Sequence, residues 1–452
     1  MQKQEFVELV QNFIVPLFTG SELEGEEEST IRDAEVAQGA GGTILCKPHK
    51  NDDYRLIIRR EQPFKRFEIQ LVRAILEELS NVYKYNIREV AYKKSLQQYA
   101  LEKAICKSIS DKSVDTLLAL IYELTIWGSR TYEGERPTFG FIVSPRNIND
   151  KTQTPIHFTK MLSRDFSTML SDGCTGVMFI NAKGMLLNYY NLPNISDQNV
   201  YAPFDYIKMA KACQKGRVGI ALINNGDLLI FSEGELVFAK RRGSWSSFSH
   251  DEIIQKISDK TKPEVQEAVY LSALDVSFAH TGACICYLRK DQEKSALKHI
   301  DIYDLLSEEM YNAKLEMIKA NKGKEQVDED NMEENENADY PESFSEFLKS
   351  DKAVKVCSLI KIISGKKFHE LDRKLRADLL AIDGATIVDH DGNILCIGAI
   401  VEIEAGSSGG GRLAAARTLG RYGVSMKVSM DSTITGYGYD YKKGKTRTLF
   451  FI

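Results

Sequence analysis

The sequence predicts an α/β protein whose C-terminal part is a mixed β-sheet flanked by helices, preceded by an α/β region and a β-rich region. Three observations carry this. From 369 onward a helical stretch (HELDRKLRADLL) and a hairpin (TIVDHDGNILCIGAIVEI) are followed by a glycine-rich loop, a second helix (RLAAARTLGRYG) and three terminal strands (VSMKVSM, STITGYGY, TRTLFFI). Neighbouring strands joined by a short turn pair antiparallel, whereas a helix between strands makes a crossover, so this sheet holds both kinds of connection. Between 173 and 240, short apolar runs bounded by Gly, Asn and Lys (GCTGVMFIN, GMLLNYYNL, RVGIALINN, GDLLIFSEG, ELVFAK) read as strands, with a helix near 204 to 214. Residues 66 to 125 have the apolar spacing of helices, in RFEIQLVRAILEELSNVY and in VDTLLALIYELTIW.

The remaining elements fall into place around these. GGTILCKP and YRLIIRR read as short strands, so residues 1–150 form a mixed α/β region whose chemistry is not legible, followed by the β-rich region 151–245. RRGSWSSF is turn-like, and its Trp245 fits a core anchor or hinge better than a base-stacking residue. A helix of about 17 residues, PEVQEAVYLSALDVSFA, then leads into the strand TGACICYL, placing the start of a third domain near 246. Residues 319–341 (KANKGKEQVDEDNMEENENADYP) hold almost no large apolar side chains and read as an exposed acidic insertion, a solvated linker more than a partner-binding tail. Asp391-Gly392 signals a two-residue hairpin turn. DGCTGVMFINAKGMLL echoes DGATIVDHDGNIL in its Asp-Gly start and second glycine, and two hairpins with ordinary turn chemistry account for that echo.

Composition narrows the function classes. A chain of 452 residues exceeds one ordinary core and predicts two or three domains. With 59 basic and 64 acidic side chains the net charge is −5, which argues against a duplex-binding or anionic-membrane role. No apolar run is long enough to cross a bilayer, and the first residues lack a signal-peptide pattern, so the cytoplasm is the expected compartment. Eight cysteines without a CxxC pair fit buried thiols in a reducing compartment, and Cys284 with Cys286 fit one strand face better than a zinc site.

The candidate chemistry sits in two places. AGSSGGGR, residues 405–412, opens onto an alanine-rich helix, and free amides at a helix start, the positive end of the dipole and glycines that admit a ligand to the backbone together suit phosphate. Arg412 can grip phosphate oxygens in bidentate fashion, Ser407 or Ser408 can donate hydroxyls, and Arg417, Arg421 and Lys427 add positive charge. The bland alternative is a capped turn and a solvated helix; the loop is neither a Walker loop nor a GxGxxG. Asp383 precedes a glycine at a strand entrance, where aspartate commonly serves as a turn former. Facing an anion-binding loop it would repel phosphates unless a divalent cation lay between them. His280, at a helix end, reads as a capping or surface residue.

The helix leading into TGACICYL, Asp383-Gly384-Ala385 with its hairpin, GGGR opening a helix and KVSMDSTITGY resemble, in the same order over roughly residues 250–452, the diadenylate cyclase domain. The resemblance implies that Asp383 binds the metal, Mg²⁺ or Mn²⁺, and aligns the ribose 3′-hydroxyl, with Arg412 the second catalytic residue. It further implies that Gly384, Ala385, Ser408, Gly409, Gly410, Gly411 and Arg417 bind nucleotide, with Thr281, Gly282, Ser429 and Asp431 framing it. Where the family reads Gly-Thr-Arg-His-Arg, this chain has Gly410-Gly411-Arg412-Leu413-Ala414, keeping the glycine and the first arginine.

The activity so implied is condensation of two ATP into cyclic di-AMP and pyrophosphate by a homo-oligomer with two sites face to face, residues 1–245 acting as a regulatory sensor. The alternative is a nucleotide-binding module that has lost turnover, as Leu413 and Ala414 suggest. A purely structural scaffold leaves the acid and the glycine loop unexplained.

Overall fold

The computed structural model describes residues 3–83, 89–131, 133–146, 154–164, 166–167, 170–196, 199–258, 262–325, 340–403 and 410–452. They form two compact units, residues 1–253 with 452, and residues 254–451. The fold is mixed α/β, with three sheets among the described residues.

In the first unit, β1 (Glu22–Glu28), β2 (Val36–Gln38), β3 (Thr43–Cys46) and β4 (Tyr54–Arg59) make an antiparallel sheet in the order β1-β4-β3-β2. β1 reads ELEGEEE and carries no strand signal in its composition; its glutamates find partners across the ladder, Glu27 with Arg55 at 2.5 Å and Glu24 with Arg59 at 2.6 Å. Helices Arg66–Tyr83, Val90–Ile109 and Val114–Gly128 follow. The second sheet runs across residue 150: β5 (Phe139–Val143), β6 (Gly176–Ile180), β7 (Leu186–Asn191), β8 (Val218–Leu222), β9 (Leu228–Ser232), β10 (Glu235–Arg241) and β11 (Ser244–Ser247), ordered β11-β10-β9-β8-β5-β6-β7. Central β5 was not signalled by periodicity because every one of its residues is buried, which erases alternation. The turn-like RRGSWSSF proves to be the β10–β11 hairpin; Trp245 is 3% exposed and its indole N–H donates to Glu102 at 3.2 Å, the core anchor expected of it. One apolar cluster from Phe6 to Trp245 unites both sheets of this unit.

The second unit holds β12 (Ala283–Leu288), β13 (Ala385–Val388), β14 (Ile394–Ala399), β15 (Gly423–Val428), β16 (Ile434–Asp440) and β17 (Lys445–Phe451), ordered β14-β13-β12-β15-β16-β17. β12 and β13 are parallel and the other neighbours antiparallel, so the sheet is mixed as expected. The β13–β14 turn differs from a two-residue loop: Asp389 N–H donates to Asn393 O at 2.9 Å and Gly392 N–H to Asp389 O at 3.1 Å, and Gly392 adopts φ +87°. The left-handed glycine thus closes a longer loop centred on His390-Asp391, because the Asp389 carboxylate accepts from the Asp391 and Asn393 amides, both at 2.8 Å, and stabilises it. The helix Glu308–Glu325 carries into the stretch read as an acidic linker, whose residues 326–339 lie outside the described ones. All eight cysteines are free thiols, and no helix among the described residues is long and apolar enough to cross a membrane.

Helix Pro263–Phe278 packs on helix Arg373–Leu380 through a buried ion pair. Arg373 donates from Nε to Asp275 Oδ2 at 2.7 Å and from Nη2 to Oδ1 at 2.8 Å, and its side chain has no exposure. Arg376 is also buried, at 3% exposure; burial first, then the neighbouring Arg373 charge, brings its guanidinium down to about 10. Asp275 is thus bidentate to one buried cation and, with Asp372 and Glu267, favours the charge of a second. Asp275→Ala is expected to destabilise this unit by about 3–5 kcal/mol, read from urea unfolding monitored by circular dichroism.

Candidate functional site

The junction at Asp383 is set by two glycines pressed backbone to backbone. Gly384 has φ +111°, and a β-carbon there would lie 2.4 Å from the Gly398 carbonyl carbon. Gly398 has φ +60°, and a β-carbon on it would meet Asp383 O at 2.8 Å and Ile382 Cγ2 at 2.6 Å. Only glycine adopts these angles without strain at that separation. The ladder responds with a register shift between Ala385 and Ile387, and the Asp383 side chain stands in solvent, 93% exposed.

Arg412 comes to it from the first turn of helix Gly411–Leu419, with Nη2 donating to Asp383 Oδ1 at 3.1 Å. Its guanidinium lies on Gly282, where a β-carbon would be 2.3 Å from Nη1 and 2.9 Å from Cζ. The parallel register that puts Cys284 beside Ala385 brings the starts of β12 and β13 to one sheet edge, and the antiparallel register of Ala283 with Val428 adds the end of β15. Asp383, Gly384, Ala385, Thr281, Gly282, Gly410, Gly411, Arg412 and Ser429 therefore border one edge of the sheet. Ala385 itself is buried in the ladder.

The other residues of the prediction divide. Ser407, Ser408 and Gly409 lie outside the described residues. Asp431 is exposed and caps its own turn, accepting from Thr433 N–H at 3.1 Å. Arg417 is hydrogen-bonded to the hydroxyl of Tyr437, whose pKa burial pushes up and Arg417 draws down. Lys427 stands opposite Cys284 in the β12–β15 ladder, so the two side chains share a face. The Cys284 thiol is pushed up to about 12 by burial, against the lowering influence of the Arg412 charge. His280, given no role by the sequence, has φ +53° and its Nδ1 lies 2.9 Å from Ser432 Oγ, tying the chain before β12 to the 429–433 loop. No sequence signal marks that bond, because its partners are 152 positions apart.

An ion pair this open contributes about 0–1 kcal/mol at most, so stability does not require it. Gly410 and Gly411 point the same way: among the described residues a β-carbon on either would meet nothing within 4 Å, and Gly410 has an ordinary φ of −57°. Their fold places no demand for glycine, whereas Gly282 and Gly384 are required by close contacts. Glu293, Asp389 and His390 also bring possible metal donors within 4.8 Å of one another. The Asp389 carboxylate is already committed to its hairpin, to the Asp391 and Asn393 amides at 2.8 Å and to Asn393 Nδ2 at 2.6 Å, so turn geometry explains that group.

No family model matches the chain, and no curated protein matches it. Among solved structures, a double mutant of DacA from Staphylococcus aureus matches with a TM-score of 0.21 and 11% identity, covering 44% of this chain and 86% of that one. So slight a likeness carries no weight for function.

Glycine substitutions separate the constrained positions from the open ones. Gly384→Ala is expected to cost about 1–3 kcal/mol or more, Gly282→Ala to displace the Arg412 guanidinium, and Gly410→Ala to stay within about 0.5 kcal/mol of the parent. Urea unfolding of the three variants side by side checks the order.

Proposed function

We propose that residues 254–451 form a diadenylate cyclase-like domain that binds ATP with Mg²⁺ or Mn²⁺ and joins two ATP molecules into cyclic di-AMP. The observation that supports it most directly is the 3.1 Å contact of Asp383 with Arg412 over Gly282. A carboxylate and a guanidinium at the start of a helix offer a triphosphate both a cation site and a charge-assisted donor. A single exposed carboxylate suits magnesium or manganese, which bind one or two carboxylates together with phosphate oxygens. Such an ion supplies neutralisation of the phosphate charge.

In this reading Arg412 exchanges Asp383 for phosphate oxygens, and Asp383 would hold the cation and align the ribose 3′-hydroxyl. Each 3′-hydroxyl loses its proton and attacks the α-phosphorus of the other ATP; a P–O bond forms and pyrophosphate leaves, once for each nucleotide. The two sites face each other in a homo-oligomer, and residues 1–245 regulate their meeting. This chain contributes position and charge.

A second reading, a nucleotide-binding module without turnover, is favoured by the helix start itself. Leu413 and Ala414 have hydrocarbon side chains and so supply no side-chain donor to phosphate, and Arg417 is engaged with Tyr437.

Incubation with ATP and Mn²⁺, with the products identified by mass spectrometry, distinguishes the two. Cyclic di-AMP from the parent and none from Asp383→Asn is the expected outcome; saturable ATP binding without product supports the second reading; no binding at all overturns both. Arg412→Ala is expected to weaken ATP binding about 10- to 150-fold, the equivalent of about 1.5–3 kcal/mol for hydrogen bonds to a charged group, measured by equilibrium dialysis.

A further inference from the structure

The two large sheets share one plan. Taking β5 with β12, β6 with β13, β7 with β14, β8 with β15, β9 with β16 and β10 with β17, the strand orders coincide, β11 being the sole addition. The pairing senses coincide as well: β5–β6 and β12–β13 are parallel, and every other matched pair is antiparallel.

The agreement extends to irregular features. The β6–β7 ladder slips between Phe179↔Asn188 and Ile180↔Leu186, and the β13–β14 ladder between Ile387↔Cys396 and Val388↔Ile394. The β9–β10 ladder slips between Phe231↔Leu236 and Ile230↔Phe238, the β16–β17 ladder between Tyr437↔Thr448 and Gly436↔Phe450. These slips fall at the same distance from the turn in the matched hairpins of the first pair, and at the matched residues of β9 and β16 in the second; the additional slip between Ala385 and Ile387 has no counterpart in the β6–β7 ladder.

The loops match bond for bond. Asn181 accepts at Oδ1 from Lys183 and Met185 amides, at 2.9 and 3.0 Å, and at its carbonyl from Gly184 at 3.0 Å, with Gly184 at φ +77°. Asp389 makes the same three bonds with Asp391, Asn393 and Gly392. In the next hairpins Asn225 caps Asp227 N–H at 2.9 Å, as Asp431 caps Thr433 N–H at 3.1 Å, with Gly226 and Ser432 both at positive φ. The lead-in to the first strand is tied to this loop in both copies, though by different atoms: Arg136 Nη1 donates to Asn225 O at 2.5 Å, and His280 Nδ1 lies 2.9 Å from Ser432 Oγ. Ordinary turn chemistry explains one such loop; it does not place two loops and two bulges at matching points of one strand order.

At the edge corresponding to the candidate site the copies part. The step back from the capping side chain that leads from Asp389 to Asp383 leads from Asn181 to Thr175, whose hydroxyl is committed to Asp172 at 2.6 Å. Asp172 is folded onto the Cys174, Thr175 and Gly176 amides at 2.8, 2.8 and 3.1 Å. Near the place of Arg412, at the start of the helical segment that leads into β8, stands Tyr206, 8% exposed and hydrogen-bonded to the Cys174 thiol. Burial pushes that thiol up to about 12, so the contact is neutral.

We infer that the chain carries one sheet architecture twice by internal duplication, and that the N-terminal copy binds no nucleotide, Thr175, bonded to Asp172, and Tyr206, bonded to Cys174, standing where the second copy has Asp383 and Arg412. What the second copy binds rests on the proposed function.

Equilibrium dialysis of the full chain against α,β-methylene-ATP and Mn²⁺ tests it by stoichiometry. One analogue per chain, bound about 10- to 150-fold more weakly by Arg412→Ala and with unchanged affinity by Tyr206→Phe, is the expected result. Two per chain overturn the silent copy and leave the proposed function standing. No analogue on the parent overturns the nucleotide reading, and the contrast between copies with it; an affinity that Arg412→Ala leaves unchanged overturns both. The duplication is tested separately by moving the first loop into the second: Asp389→Asn, His390→Ala, Asp391→Lys and Asn393→Met together, Gly392 kept. Equivalent loops leave the urea midpoint little changed, and loss of folding overturns the equivalence.

Discussion

The close passage of Gly384 against Gly398 is the constraint from which the candidate site follows. Two glycines at positive φ let the chain turn into β13 with its backbone in contact with β14. The side chain before the turn is thereby thrust beyond the sheet edge, where an acid can be 93% exposed and still held in place. Behind it, the Asp275–Arg373 pair fixes the helix that delivers the chain to the turn, and in front of it Gly282 makes room for the Arg412 guanidinium. Position here is set by backbone contacts and buried charge, and the exposed pair itself adds little to stability.

That division of labour explains how one architecture can serve two ends. The β-bulges, capped loops and strand order lie in hydrogen bonds that the backbone must satisfy whatever the surface does, and both sheets keep them. The edge residues are under no such demand. In the N-terminal copy a cysteine and a tyrosine make a neutral hydrogen-bonded contact at that edge, and in the C-terminal copy an acid and an arginine leave it open and charged.

Much of the fold was legible locally. Helices Pro263–Phe278 and Arg373–Leu380, the strands β12 to β17, and β6 to β10 all announce themselves through apolar runs and turn residues. Elements without a local signal were not: β5 is buried throughout, and β1 is a row of glutamates made into a strand by arginines on its neighbour. The hairpin after β13 was legible, while its turn was displaced by the Asp389 cap. The echo between DGCTGVMFINAKGMLL and DGATIVDHDGNIL was visible and uninformative, since so short a match is common to hairpins of one turn type.

The sequence by itself determined the α/β class, the order of the C-terminal elements and the residue types able to meet phosphate and metal, because these depend on periodicity and on side-chain chemistry. Tertiary structure alone decided that Arg412 reaches Asp383 across Gly282, that Arg417 turns to Tyr437, and that the N-terminal sheet repeats the C-terminal one. Those facts rest on register between strands far apart in the chain, and register is fixed by pairing that no local stretch of residues contains.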